Sequence, residues 1–342
     1  MTLLRRSMLQ MPFVAAAASP AFADGVDMVA VTAAAVKQGK LNLLHNIPPP
    51  LGDLWIAEFQ KAFPKIAVEA NRLGSTEMMQ RFGTEYQAGA SDADLLVTLW
   101  DETLLKWSDQ GWLRTWTPPE SAVYPAHFKA RDQIYTSHLN RSCLVTSKTK
   151  VKEADAPKEW TDFFDPKWQG KIGMDPPWRS VAVQAMLAVW DQQGIKDVAK
   201  RLKANGVRFF NGSAGVVQAV IRGDIHVAAV IDPPVIAALN DEAPIRAIFP
   251  ASGVPAVGNC FLMPAKAPHP EAGMLFLNWS LSLEGQKAIL STIGSPVTRP
   301  GAGSPKAVPG VDGQKILLSS EMLTPAFQKA VIEEWRSVFG LQ

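Results

Sequence analysis

Six short polar clusters, each directly after an apolar run, have the residue types and spacing for chemistry. They are His45 and Asn46; Ser75 and Thr76 after Gly74; Trp100 and Asp101; Asp175 with Trp178, Arg179 and Ser180; Asn211 and Ser213 around Gly212; and Asp232. In open α/β sheets a ligand sits beyond the carboxyl ends of the strands, so residues following strands are where a site is built. Three of the clusters open helices, where unpaired N–H groups and about half a positive charge favour an anion. Ser75, Thr76, Ser180, Asn211 and Ser213 thus form a candidate anion cradle, with Arg179 as its bidentate partner. The same residue types are also ordinary N-caps. Asp101, Asp175 and Asp232 argue for another ligand: carboxylates beside Trp100 and Trp178 would hold an amine by charge and aromatic face, or serve only as caps and ion pairs. A solute carrying both an acidic group and an amine would satisfy both sets.

The elements that must position these residues follow from periodicity. KLNLLHN (40–46), KIAVEANRL (65–73) and ADLLVTLW (93–100) read as strands, the last apolar enough for burial on both faces. DLWIAEFQKAF (53–63) and EMMQRFGTEYQAG (77–89) carry the helical period, and the alanine-rich stretch 24–40 reads as a short helix stopped at Gly39. This alternation, in units of about 30 residues, predicts a parallel sheet layered by helices. After a proline-rich, irregular stretch at 117–127 the pattern restarts with RSCLVTS (141–147) as a strand, KEWTDFFD as a helix and GKIGMD (170–175) as a strand. A helix from Val181 to Gln193 follows, then strand, turn and helix across 207–224, and the strand HVAAVID (226–232). GNCFLMP (258–264) is the last strand, and EAGMLFLNWSLSLEGQKAIL reads as one long helix. The expected architecture is α/β and two-lobed, each lobe a mainly parallel sheet flanked by helices. Residues 24–140 plus 258–342 form lobe 1 and 141–257 lobe 2, with crossings near 138–147 and 253–262.

Composition narrows the function. The 342 residues carry 34 basic and 32 acidic side chains with no block of like charge, so no counterion-release grip on nucleic acid is expected. Residues 1–23, with Arg5 and Arg6, a short alanine-rich run and a small-x-small ending at Ala23, read as an export signal cleaved near Ala23. Arg5-Arg6 resembles the twin-arginine motif of folded-protein export; a general secretory signal is the alternative. The mature protein is expected outside the cytoplasm, as a monomer. No G-x-S-x-G, H-E-x-x-H, P-loop or G-x-G-x-x-G pattern occurs, so no enzyme signature, cofactor or metal is expected. The five histidines never fall at helical spacing from one another, and Cys143 and Cys260 form no C-x-x-C.

Three segments carry a specific resemblance: NRLGSTEMMQRFGTEYQAGASDADLLV (71–97), APKEWTDFFDPKWQGKIGMDPP (156–177) and APHPEAGMLFLNWSLSLEGQKAI (267–289). They resemble the extracellular solute-binding proteins of ABC importers, in the branch that includes ferric-ion, thiamine, phosphonate and sugar-phosphate binders. The likeness runs from about residue 28 to 300; Val145, Thr146 and Ser147 replace the family's usual Tyr-Asn-Thr crossover pattern. The resemblance implies a type II periplasmic binding protein, hinged between lobes, that closes on a small-molecule ligand and delivers it to inner-membrane permease subunits. The ligand expected is a small polar solute, anionic or zwitterionic, such as a phosphonate or a phosphorylated or carboxylated compound. A polyamine or metal-ion binder of the same fold, an exported enzyme on a related scaffold and a ligand-presenting sensor that docks to a chemoreceptor or kinase are the alternatives. The iron-binding branch uses a tyrosine pair, and here the matching position is Pro233-Pro234, so that form of coordination is not expected. Crossing strands 141–147 and 258–264 should lie side by side in this architecture, which would bring Cys143 near Cys260 as a disulfide or as two buried thiols.

Overall fold

A computed structural model describes residues 26–311, 313–319 and 322–341, so the export signal expected at 1–23 lies outside the described residues. The chain begins with α1 (Met28–Gln38), β1 (Lys40–His45), α2 (Leu51–Ala62), β2 (Ala67–Arg72), α3 (Ser75–Gln87), β3 (Leu95–Leu99) and α4 (Glu102–Asp109). Asp27 caps α1 by accepting from the N–H groups of Val29 and Ala30, and Gly39 ends it in the left-handed region. Short 3₁₀ turns occupy the proline-rich stretch before β4 (Lys129–Ala130) and β5 (Ile134–Ser147). Next come β6 (Ile172–Met174), α5 (Val181–Gln192), α6 (Val198–Ala204), β7 (Arg208–Phe209), α7 (Gly212–Arg222), β8 (Val227–Ile231), α8 (Asp232–Asn240) and β9 (Ile245–Ile248). The chain finishes with β10 (Val254–Leu262), α9 (Pro270–Leu281), α10 (Leu283–Thr292), β11 (Ile316–Leu318) and α11 (Pro325–Phe339).

The strands run in the order β2-β1-β3-β10-β5-β8-β6-β7, with β4 and β9 on β5 and β11 on β10. β1 pairs in parallel with β2 and β3, and β6 with β7 and β8. The long strand β5 joins the two halves. Its residues Ile134–Arg141 pair antiparallel with Leu262–Ala256 of β10, while Ser142–Thr146 pair with Ile231–Val227 of β8. Each half has its own core. On lobe 1, Trp55, Phe59, Phe276 and Trp279 pack on one face and Met78, Phe82 and Trp107 on the other. On lobe 2, Trp160, Phe163 and Trp190 gather on one face and Val216, Val220 and Val230 on the other. Each such side chain contributes about 1.5–3 kcal/mol of burial free energy.

Four readings of the sequence are corrected by packing. The crossing strand starts at Ile134, not 141, because IYTSHLN is buried between β10 and β4 although its polar residues hide the strand pattern. KEWTDFFD forms a 3₁₀ turn over Trp160–Phe164. The long helix after β10 is two, because Ser282 caps a new start and α10 folds back so tightly that a Cβ on Gly285 would lie 1.9 Å from the Trp279 carbonyl oxygen. The C-terminal α11, not foreseen, places Val331 and Trp335 in the core of lobe 2, so that part of the 258–342 segment packs away from lobe 1.

The disulfide is also overturned. Cys143 and Cys260 are free and buried. β5 and β10 do lie side by side, but Cys260 faces Thr136 while Cys143 faces Val230 of β8. Seven residues of extended chain, about 23 Å, separate Cys143 from the position opposite Cys260.

Candidate functional site

The loops after the strands form two half-sites. On lobe 1, β1 ends at His45, and the Asn46 amide donates to Ser75 Oγ at 3.0 Å, joining the loop after β1 to the first residue of α3. Ser75 is not an N-cap. Gly74 holds that position and offers no side chain, so the first N–H groups of α3 are left without a side-chain cap. Thr76 beside it is exposed. His45 is buried, and burial lowers its pKa to about 4, so its imidazole is neutral. Its Nδ1 has no hydrogen-bond partner among the described residues.

On lobe 2, the exposed Arg179 donates from Nη2 to Asn211 Oδ1 at 2.7 Å, linking the loop after β6 to the loop after β7. Asn211 stands at the N-cap position of α7, yet its side chain makes no cap bond because its oxygen is taken by Arg179. Ser180 does cap α5, accepting from Val183 N–H at 3.3 Å, and Trp178 packs edge-on against Phe209 at 5.1 Å. Ser213 is buried inside the first turn of α7. Gly212 has φ +82°, a conformation that a side chain disfavours and that turns its N–H onto Asp175 Oδ1 at 3.2 Å.

The three aspartates are all committed within the protein. Asp101 caps α4 by accepting from Thr103 N–H at 2.8 Å. Asp175 receives Gly212; burial pushes its carboxyl above the usual range, against the pull of that N–H, the Ser180 hydroxyl and Arg179. Asp232 opens α8 fully buried, with Oδ2 2.8 Å from Arg141 Nε and Oδ1 2.9 Å from Arg141 N–H. None of the three is a free carboxylate awaiting an amine.

A hinge-side set escaped the sequence reading. Arg141, in the middle of β5, also donates to the carbonyls of Pro309 and Gly310 and to Gln314 Oε1. Gln328 of α11 donates to Gln184 of α5 at 2.9 Å and reaches Asp101 at 3.5 Å, spanning the two lobes. Leu99, Val257, Ala182, Ala185 and Leu323 pack together beside it. An isolated arginine in a polar stretch and a glutamine in an amphipathic helix carry no local signal of such roles. Trp100 lies beside this cluster and lines a cavity of about 760 Å³ with Glu102, Leu105, Leu318 and Leu323.

The architecture leads to one family. The bacterial extracellular solute-binding proteins match residues 55–310. The chain belongs to that family. Among solved structures, this solute-binding protein is similar to iron-bound HitA from Pseudomonas aeruginosa, at 21% identity and TM-score 0.76 over 87% of this chain and 99% of that one. It is similar at 22% identity and TM-score 0.76 to the substrate binding protein of the ABC transporter from Agrobacterium tumefaciens, over 87% and 94% of the two chains. AfuA from Actinobacillus pleuropneumoniae, with exogenous fructose-6-phosphate bound, matches at 16% identity and TM-score 0.74 over 89% of this chain and 100% of that one. No curated protein matches the sequence. These likenesses show the type II binding-protein fold. In the solute-binding protein described here, all three tyrosines are buried, Tyr124 hydroxyl on Leu281 carbonyl and Tyr135 hydroxyl on Trp116 carbonyl, and Pro233 and Pro234 open α8. Among the described residues no group of three or more His, Cys, Asp or Glu side chains is placed to hold a metal ion.

Proposed function

We propose that this protein is the periplasmic receptor of an ABC importer, capturing a small anionic or zwitterionic solute between its lobes and passing it unchanged to the membrane permease. The observation that carries the ligand class is the division of labour at the strand ends. The carboxylates of Asp101, Asp175 and Asp232 are spent on protein donors, Asp175 on the first N–H of α7, whereas exposed Arg179 and the start of α3, which has no side-chain cap, offer donors to an anion. Donors facing solvent in two lobes suit a phosphonate, a phosphorylated compound or a carboxylate, and closure would bring the Asn46–Ser75 pair toward the Arg179–Asn211 pair. The twin-arginine-like leader supplies the route to the periplasm, and no residue of the site forms a nucleophile and base arrangement.

A thermal-shift screen against phosphonates, sugar phosphates, carboxylates and polyamines tests this reading, because a ligand that binds only the folded state raises the melting temperature. An anionic hit is expected, and Arg179→Ala should weaken it by roughly 10- to 100-fold, the worth of one charge-assisted bond of about 1.5–3 kcal/mol. A polyamine as the sole hit, or an anionic hit indifferent to Arg179→Ala, overturns the assignment.

A further inference from the structure

Beside the hinge, at the Trp100 end of β3, the C-terminal segment roofs a space lined by neither Arg179 nor the Asn46–Ser75 pair. Its floor is lobe 1: Trp100 at the end of β3, Glu102 and Leu105 of α4, and His127, Lys129 and Ala130 around β4. Its roof is Ile316 and Leu318 of β11 with Leu323 and Thr324 before α11. The volume of about 760 Å³ lies within the range of small-molecule sites, roughly 300–1,000 Å³. A narrow recess opens from the same residues, sharing Trp100, His127, Lys129 and Leu318, and ends against Thr136, Ala256, Gly258 and Ser319.

The two parts differ in chemistry. The wide part is walled mainly by Trp100, Leu105, Ile316, Leu318 and Leu323, a bed for a ring or a branched chain, with the Glu102 carboxylate and His127 also on its floor, so an anionic group is favoured only at the Lys129 end. The recess is polar at its end. Ser319 is 1% exposed, and its Oγ has no hydrogen-bond partner among the described residues, a state that costs about 1–3 kcal/mol unless something enters to pair with it. Lys129 stands at the junction of the two parts; its ammonium donates to the Ser121 carbonyl at 3.0 Å and keeps two further N–H donors. Thr136 Oγ1 lies 3.4 Å from Cys260 Sγ. A buried hydroxyl and an ammonium at the narrow end, with apolar walls at the wide end, call for a ligand of matching polarity.

We propose that this cavity is a second binding site, separate from the interlobe site, for a small apolar carboxylate. The carboxylate enters the recess, where Ser319 Oγ and Lys129 Nζ donate to it, and the apolar body lies along Trp100, Leu318 and Leu323. The site does not depend on Arg179 or on the nature of the transported solute.

Phenylacetate is the probe, with benzyl alcohol as its uncharged counterpart, titrated by calorimetry into the full mature chain. Phenylacetate is expected to bind at least tenfold more tightly than benzyl alcohol. Lys129→Gln should reduce phenylacetate affinity about tenfold or more and leave benzyl alcohol unchanged. Thr324→Trp, at an exposed rim position where it gives up the α11 cap on Phe327 N–H, should block both while the thermal unfolding transition stays cooperative, and Arg179→Ala should block neither. No phenylacetate binding to the wild-type chain, or binding that survives Thr324→Trp, overturns the proposal. Loss of phenylacetate binding with Arg179→Ala overturns it too, by placing the probe in the interlobe gap. If Arg179→Ala removes only a phosphorylated ligand and Thr324→Trp only phenylacetate, the two sites are separately established.

Discussion

Arg141 and Asp232 form an ion pair with Nε and Oδ2 2.8 Å apart and no exposure of either side chain, joining the middle of the hinge strand to the first residue of α8. The guanidinium also sits 4.5 Å from the centre of the Phe249 ring and binds the carbonyls of Pro309 and Gly310. One residue therefore ties β5, lobe 2 and the C-terminal segment together. The sequence reading placed Asp232 among the ligand contacts; here its carboxylate serves the hinge.

Removing one partner leaves the other charge buried and unpaired. Asp232→Ala is expected to lower stability by about 3–5 kcal/mol, read as a fall in the urea midpoint. The double substitution Arg141→Met with Asp232→Leu should recover most of that loss. A single Asp232→Ala variant as stable as the wild type would show that the pair carries no such weight.

Acid should destabilise the fold through two buried histidines. Burial lowers His45 to about 4 and His138 to about 3, against an unfolded value near 6.5. Between these values the unfolded chain binds protons that the folded chain refuses, so the contribution of these two histidines is constant above about pH 6.5 and falls as pH drops below it. Each histidine contributes a slope of up to about 1.4 kcal/mol per pH unit. Urea midpoints measured from pH 7 to 4 should show this decline, and His138→Gln should make it shallower whatever that variant does to stability at pH 7.

The two cysteines should be silent in the native state. Cys260 is pushed up to about 12 and Cys143 well above its ordinary value, both by burial, so neither supplies thiolate near neutrality. A colorimetric thiol reagent should find no reactive thiol in the folded protein and both after unfolding in urea, and reductant should leave the melting temperature unchanged. A drop in melting temperature on reduction would restore the disulfide.

Gly285→Ala should be costly although the substitution is small. Its Cβ would meet the Trp279 carbonyl oxygen at 1.9 Å, and a backbone oxygen cannot swing aside as a flexible side chain would. A loss of about 1–3 kcal/mol is expected from the forced shift of α10 against α9, read by thermal unfolding. At Gly83, where a Cβ would meet nothing, alanine should be tolerated.

Much of the scaffold was legible because its signals are local. Asp27 and Gly39 mark both ends of α1, and LLVTL announces a strand buried on both faces. The strand-end positions were legible for the same reason: Ser75, Arg179, Ser180 and Asn211 follow strands and lie at or just before helix starts, and the topology places them after β2, β6 and β7. What each side chain does there was not legible. Ser180 caps its helix while Asn211, after the neighbouring strand β7, gives up capping to hold Arg179, and only the distances tell them apart.

Periodicity and turn chemistry, which act over a few residues, determined the alternation of strands and helices and the two-lobed division. Tertiary structure decided what depends on partners distant in the chain: the register that keeps Cys143 from Cys260, the commitment of Asp232 to Arg141, and the return of α11 to the second lobe. The physical reason is that a strand's pairing partner and a buried charge's counterion are chosen by packing of the whole, and a side chain's neighbours along the sequence carry no trace of that choice.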